Sequence, residues 1–248
     1  MGQADARLQP SGLTVADGDR KDAIRDAATI IVIRDRMTAP AVLMGQRGAA
    51  AAFMPNKFVF PGGAVDARAD TGIEPARPLT DLCRARLAEG VDLSPDALAA
   101  AAVRELWEET GQVLGRRAAW PDPPKGWRGF AATGHRPDFG ALTFVFRAIT
   151  PPGRPRRFDA RFFVAEAEAL ATDPDDFTRA EDELAHLQWV PLAKARSFDL
   201  PFITEVALAE IAARLTEPGP PPSVPFYFDD AERHLVTRLN GRRPLDTI

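Results

Sequence analysis

Arg104-Glu105-Leu106-Trp107-Glu108-Glu109-Thr110-Gly111 lies downstream of Phe60-Pro61-Gly62-Gly63, and the reading of these two stretches decides the fold. On an α-helix, residues three and four apart are neighbours, so Glu105, Glu108 and Glu109 leave from one face. Exposed like charges at that spacing repel by roughly 0.2–0.5 kcal/mol per pair. A hard divalent cation reverses the sign, because Mg²⁺ and Mn²⁺ take oxygen ligands from carboxylates, water and phosphate. Arg104, four before Glu108, can pair with it or orient a carboxylate from behind. A solvated helix face of mixed charge is the bland alternative for such a string.

The surroundings favour chemistry. Ser94-Pro95-Asp96 carries a helix start, an N-cap followed by proline, and Gly111 carries a stop. Between them, Ala97-Leu98-Ala99-Ala100-Ala101-Ala102-Val103 is strongly helix-forming and small enough to pack closely on a sheet. Upstream, Lys57-Phe58-Val59-Phe60 is an extended run ending in paired glycines, whose missing side chains let backbone amides or carbonyls approach a ligand.

These residues resemble the Nudix hydrolase signature G-x5-E-x7-R-E-U-x-E-E-x-G-U, in which U is a bulky apolar residue. Gly63 matches the first glycine, and Arg104, Glu105, Leu106, Glu108, Glu109 and Gly111 match the second half position by position. Gln112 stands where an apolar residue is usual, and a long insertion follows Gly63. Asp96, eight before Arg104, is expected to replace the first glutamate, whose role in the family is to support the arginine. The insertion is similar to that of a long-insert subgroup typified by the mammalian peroxisomal coenzyme A diphosphatase. Phe58 to Gly63, Arg157 to Phe163 and Leu200 to Thr204 look like that subgroup, so the resemblance runs from about Ala27 to Leu215. A strict coenzyme A signature places further arginines between Arg47 and the glycine pair, where Gly48 to Phe53 is mostly alanine.

The resemblance implies an α/β fold, a Nudix-type α/β/α sandwich with a mixed sheet and an insertion between the two halves of the box. It implies a single domain over 27–248, with an insertion at about 65–93 and a C-terminal extension from about 217; residues 1–26, polar and glycine-containing up to about Asp22, read from composition as a flexible or edge-covering arm. The implied reaction is attack of water on a diphosphate linked to some group X, with Mg²⁺ or Mn²⁺ neutralising the oxygens. Glu105 and Glu109 are expected as metal ligands, Glu108 as a third or water-mediated ligand, and a backbone carbonyl at Gly63 as completing the shell. Arg104 joins the catalytic set. The base is one of these glutamates or an acid from Glu181-Asp182-Glu183, of which Glu183 is the candidate. Arg47, Phe60, Gly62 and Gly63 are the expected substrate contacts, Arg47 because a guanidinium matches phosphate geometry. Coenzyme A or an acyl derivative leads as substrate, followed by ADP-ribose, NADH or another nucleotide conjugate. A nucleotide-sensing module without turnover is the reading from a different class.

Composition sets bounds. The chain has 248 residues, 45% of them apolar, enough to bury a sizeable core. A net charge of −4 gives no general affinity for nucleic acid or an anionic membrane. The single cysteine, Cys83, makes no internal disulfide and reads as a small hydrophobe on an insertion helix. Met1 to Asp26 lacks the apolar core of a secretory signal, no stretch is long enough to span a bilayer, and Leu245 to Ile248 does not resemble a peroxisomal address. A cytoplasmic protein acting on a small-molecule nucleotide is expected, with a homodimer open.

Along the chain, Ala27 to Ile33 and Ala41 to Gln46 read as a hairpin, and Leu142 to Ile149 with Arg157 to Ala165 as a second. A helix is expected near Leu79 to Ala88, N-capped by Thr80, with Leu82, Ala85 and Leu87 inward; it could be a packing accessory, a lid or a dimer contact. His186 to Val190 reads as a strand. Phe202 to Leu215 reads as an amphipathic helix with Ile203, Val206, Ala207, Ile211 and Leu215 on one face, and Pro225 to Phe228 as a docking strand. None of His135, His186 and His234 is assigned as a ligand, and Phe53, Phe58 and Phe139 fit core packing better than base stacking.

Overall fold

Thr29-Ile30-Ile31-Val32-Ile33 favours an extended backbone and forms the centre of the molecule in a computed structural model that describes residues 23–49, 51, 54–217, 219–229 and 234–239. In chain order the elements are β1 (Ile24–Arg34), β2 (Ala41–Arg47), β3 (Phe58–Val59), β4 (Gly62–Ala64), α1 (Asp81–Leu87) and α2 (Pro95–Thr110). There follow β5 (Gly115–Arg117), α3 (Arg128–Ala131), β6 (His135–Pro137), β7 (Thr143–Ile149) and β8 (Arg157–Glu166). The last are β9 (Leu184–Pro191), α4 (Phe202–Ala212), β10 (Val224–Asp229) and β11 (His234–Leu239).

The described strands build a mixed sheet in the order β11-β10-β7-β8-β1-β2-β3, with β4 also on β1 and β9 also on β2. β1 runs parallel to β8 from Ile24↔Arg157 to Ile33↔Glu166 and antiparallel to β2 and β4. Because side chains alternate across a strand, β1 feeds two cores. Ala28, Ile30 and Val32 pack with Leu98, Val103 and Leu106 of α2 and with Cys83 and Leu87 of α1. Ile31 and Ile33 pack with Ala207, Leu208 and Ile211 of α4 on the other face. The result is the expected α/β/α sandwich.

Both hairpins are present, and β10 docks parallel to β7 where Pro225 to Phe228 pointed. β1 begins at Ile24, so residues 24–26 belong to the sheet; the rest of the arm described lies outside the described residues, apart from Ala23. α4 stops at Ala212, short of Leu215, and buries Thr204 and Leu208 besides Ala207 and Ile211.

The insertion helix holds one correction. Thr80 caps α1 as expected, its Oγ1 accepting from the Cys83 N–H at 3.3 Å. The buried face, however, is Cys83, Arg86 and Leu87, while Leu82 is 41% exposed and Ala85 is exposed. A charged side chain reads as outward in a periodicity argument, yet Arg86 donates to the carbonyls of Pro221 at 2.6 Å and Pro222 at 2.9 Å. Two backbone acceptors make burial of the guanidinium tolerable and tie the insertion to the C-terminal segment. α1 thus packs against β7. Cys83 is buried as expected, and burial pushes its thiol up to about 11. Among the described residues no helix is long and apolar enough to cross a membrane.

This face yields a contrast measurable by urea denaturation. Leu87→Ala is expected to cost about 2–5 kcal/mol, whereas Leu82→Ser stays within about 0.5 kcal/mol.

Candidate active site

The site is made where α2 crosses β4. Ala97 to Val103 are buried throughout, so the small residues of the first turns bring the helix close to β1 and β4. The following turn then presents Arg104, Glu105, Glu108 and Glu109 beside the glycine strand. Pro95 opens the helix behind Ser94, whose side chain makes no capping bond. Gly111 closes it at φ 73°, a left-handed conformation that favours glycine, with its N–H donating to Trp107 O.

Arg104 organises the acids. Its Nε and Nη2 donate to Asp70 Oδ1 and Oδ2 at 2.8 and 3.0 Å. Nη1 reaches Glu108 Oε2 at 2.7 Å and Glu105 Oε1 at 2.9 Å, and Nη2 also reaches Ala64 O at 3.3 Å. Burial alone would depress this guanidinium; its bond to Asp70 and the charges of Glu105, Asp70 and Glu108 outweigh that and raise it.

Asp70, fully buried, therefore occupies the supporting place expected for Asp96. Asp96 instead makes a fork with Arg84 of α1, at 2.7 and 2.9 Å. Counting from Gly63, Ala69 falls on the signature's glutamate and Asp70 stands one place later, so the insertion enters after Asp70 rather than directly after Gly63. That near match was the available signal. A compact turn makes the shift possible, with the Asp66 N–H donating to Asp70 Oδ2 at 2.8 Å and the Asp70 N–H to Asp66 O at 2.8 Å.

Glu109 is 2% exposed; its Oε2 accepts from the Gly62 N–H at 2.8 Å, and its Oε1 is buried without a partner. Burial raises Glu109 well above the usual carboxylate range, Glu105 and Glu183 add to this, and the Gly62 N–H and Arg47 oppose it. Burial pushes Glu105 up to about 7 against the pull of Arg104, with Glu108 and Glu183 raising it further. Glu108 is raised by burial, which Arg104 opposes. Gly63 is a close approach: a Cβ there would run into Glu105 Oε1.

Among the described residues no three acids, histidines or cysteines converge as they stand into a set that could enclose an ion. Glu105 and Glu108 both lean on Arg104. The donor set nonetheless fits a hard cation, since it is all oxygen, from carboxylates and a backbone carbonyl, and includes one buried oxygen, Glu109 Oε1, with no other partner.

Of the expected substrate contacts, Arg47 ends β2 and lies 3.0 Å from Glu183 Oε1, with its own Nε buried and unpartnered. Glu183 precedes β9, where Leu184 is in register with Arg47, so strand pairing brings these two together beside Glu109. Gly62 and Gly63 lie against Glu109 and Glu105. Phe60 does not join them: it is 4% exposed and packs into the α4-side core, its place in an apolar run outweighing its neighbourhood to the turn. Phe139 is a core residue, Phe58 meets Phe198 edge-on, and Phe53 lies outside the described residues. His135 Nδ1 is 3.0 Å from Thr133 Oγ1, in a cleft with Gly111 and Arg179.

A model of the NUDIX domain matches residues 23–213. The chain belongs to the Nudix domain family. It is 31% identical over 189 residues to a Caenorhabditis elegans protein named “Putative nudix hydrolase 7”, covering 67% of this chain and 51% of that protein. It thus spans about half the length of this curated relative. The crystal structure of a NUDIX hydrolase from Alicyclobacillus acidocaldarius is 29% identical, with a TM-score of 0.57 over 78% of this chain and 96% of the other.

The reassignment of Asp70 is testable by denaturation. Asp70→Ala leaves Arg104 buried short of its main partner and is expected to cost about 3–5 kcal/mol. Asp96→Ala removes a half-exposed pair and is expected to cost no more than about 1 kcal/mol.

Proposed function

We propose that this protein is a divalent-cation-dependent hydrolase that cleaves the phosphoanhydride of a nucleoside diphosphate conjugate, with coenzyme A or an acyl-coenzyme A as substrate. The observation that carries the reading is Glu109, a buried carboxylate with one unpartnered oxygen beside a second, partly buried acid, Glu105. Such a group is costly unless something binds there. Glu105, Glu109, Glu108 and a Gly63 backbone carbonyl would hold Mg²⁺ or Mn²⁺, which when bound neutralises diphosphate oxygens.

The chain's own residues position the rest. The Gly62 N–H fixes Glu109, and Arg104 steadies Glu105 and Glu108. Glu183 is the base that takes a proton from the attacking water. The water oxygen forms a bond to phosphorus as the P–O bond of the anhydride breaks, giving two phosphoryl products. Arg47, held at Glu183, restrains that carboxylate and offers its guanidinium to a phosphate oxygen.

The names of both relatives agree with this class of reaction. The stretches Phe58 to Gly63, Arg157 to Phe163 and Leu200 to Thr204 support the coenzyme A choice through their likeness to the long-insert subgroup. The alanine-rich stretch Gly48 to Phe53 lacks the arginines of a strict coenzyme A pattern and favours, as a second reading, ADP-ribose or NADH. A cytoplasmic setting and a clientele of small nucleotides rather than nucleic acids complete the proposal.

The test is hydrolysis by wild type and Glu109→Gln with Mg²⁺ or Mn²⁺, across coenzyme A, ADP-ribose, NADH and dinucleoside polyphosphates, with products separated by chromatography. Release of 4′-phosphopantetheine and 3′,5′-ADP is expected, falling about 100-fold or more in the mutant. Cleavage of another conjugate keeps the mechanism and replaces the substrate; nucleotide binding without turnover, insensitive to the mutation, overturns the enzymatic reading.

A further inference from the structure

Gln112 follows the helix-ending Gly111 at a place where the family motif carries an apolar residue, and it is fully buried. A buried amide needs partners for its donors and its acceptor. Its Nε2 donates to the carbonyls of Asp173 at 3.1 Å and Asp176 at 2.9 Å, and its Oε1 accepts from Thr172 Oγ1 at 2.6 Å. Two carbonyls can only accept, which fixes the nitrogen end of the amide toward them.

These bonds belong to a larger fastening. Thr172 Oγ1 also accepts from the Val113 N–H at 3.2 Å, and the Ala171 N–H donates to Val113 O at 2.8 Å. At the far end of the same segment the Glu181 N–H donates to Glu108 O at 2.9 Å. Between them Arg179 lies against Gly111, where a Cβ would meet the Arg179 Cβ at 2.9 Å. Residues 171–183 contain no helix or strand, so their path depends on such fastenings rather than on a backbone ladder. The segment leads directly to Glu183, opposite Arg47.

We propose that Gln112 is a positioning residue, which clips residues 171–183 to the end of α2 and thereby sets where Glu183 stands relative to Glu105 and Glu109. The proposal rests on the reading of Glu183 as part of a hydrolytic site. An apolar residue at 112 fills the space but leaves the Asp173 and Asp176 carbonyls without their donor, and the segment carrying Glu183 loses its side-chain anchor at the end of α2 while its backbone bonds to Val113 and Glu108 remain. Gln112 touches no reacting atom; its effect passes through Glu183.

The experiment is a double-mutant cycle with a second, activity-independent readout. Gln112→Leu is expected to lower kcat about tenfold or more while KM moves less than about threefold. In a Glu183→Gln background the same change is expected to cost less than about twofold more, because the group it positions is already disabled. Thr172→Val, which removes the bonds of Thr172 Oγ1 to Gln112 and Val113 but spares those of the Gln112 amide nitrogen, is expected to show a smaller loss that also vanishes in that background, and it serves if Gln112→Leu fails to fold. Losses that multiply fully with Glu183→Gln overturn the proposal. Amide hydrogen exchange supplies the second readout: exchange across 171–183 is expected to quicken about tenfold or more in Gln112→Leu, with the body of α2 unchanged. Unchanged exchange in that segment overturns the clip. A wild type that hydrolyses no diphosphate overturns the proposed function, and with it the role assigned through Glu183, while the exchange data still decide whether Gln112 holds the segment.

Discussion

Most of the acidic cluster at the candidate site leans on one buried guanidinium. Arg104 is 7% exposed and satisfies Asp70, Glu105, Glu108 and the Ala64 carbonyl with a single planar group. Its partners come from the turn before the insertion, from the glycine strand and from the helix itself. Only a guanidinium has enough donors in a fixed fork to serve all of them at once. A lysine there would carry the charge but not the geometry. The acids in turn make the burial of Arg104 tolerable, so neither side of the cluster is stable without the other.

The same cluster explains how a long insertion coexists with an intact site. The chain delivers Asp70 to Arg104 before departing into the insertion, and it returns through Asp96 to begin α2. Arg84 of the insertion helix then pairs with Asp96 at the start of α2. The insertion is thus gripped at its exit and again at its return, and its own helix buries against β7. Glycines 62 and 63 do the complementary work from β4, one donating an amide and the other leaving room for Glu105.

Much of this was legible in the sequence because it is written locally. A helix with a proline start, an alanine body and a glycine stop needs no tertiary information, nor do two hairpins of β-branched and aromatic residues. Three features were not legible, each because a partner distant in sequence decides it. Asp70 outcompetes Asp96 for Arg104 only because a turn between Asp66 and Asp70 folds it back. Arg86 is inward only because two proline carbonyls, from the C-terminal segment, meet it. Phe60 falls into a core that α4 completes. Gln112 was visible as a departure from a motif, but its meaning lay in the carbonyls of residues 173 and 176.

The parallel ladder between β1 and β8 has a consequence for how the chain reaches this state. β1 is the strand on which both cores rest, yet one of its two long edges stays open until residues 157–166 have been made. Pairing across so large a loop is slow, since the entropy of closing it must be met before any contact rewards it. The glycine strand and the acidic helix therefore emerge from the ribosome well ahead of the strand that completes their support. The last part of the candidate site to arrive is Glu183, so the acids of α2 gain that neighbour only after β8 has been made to cover the open edge of β1, and a half-made chain carries the motif without the site.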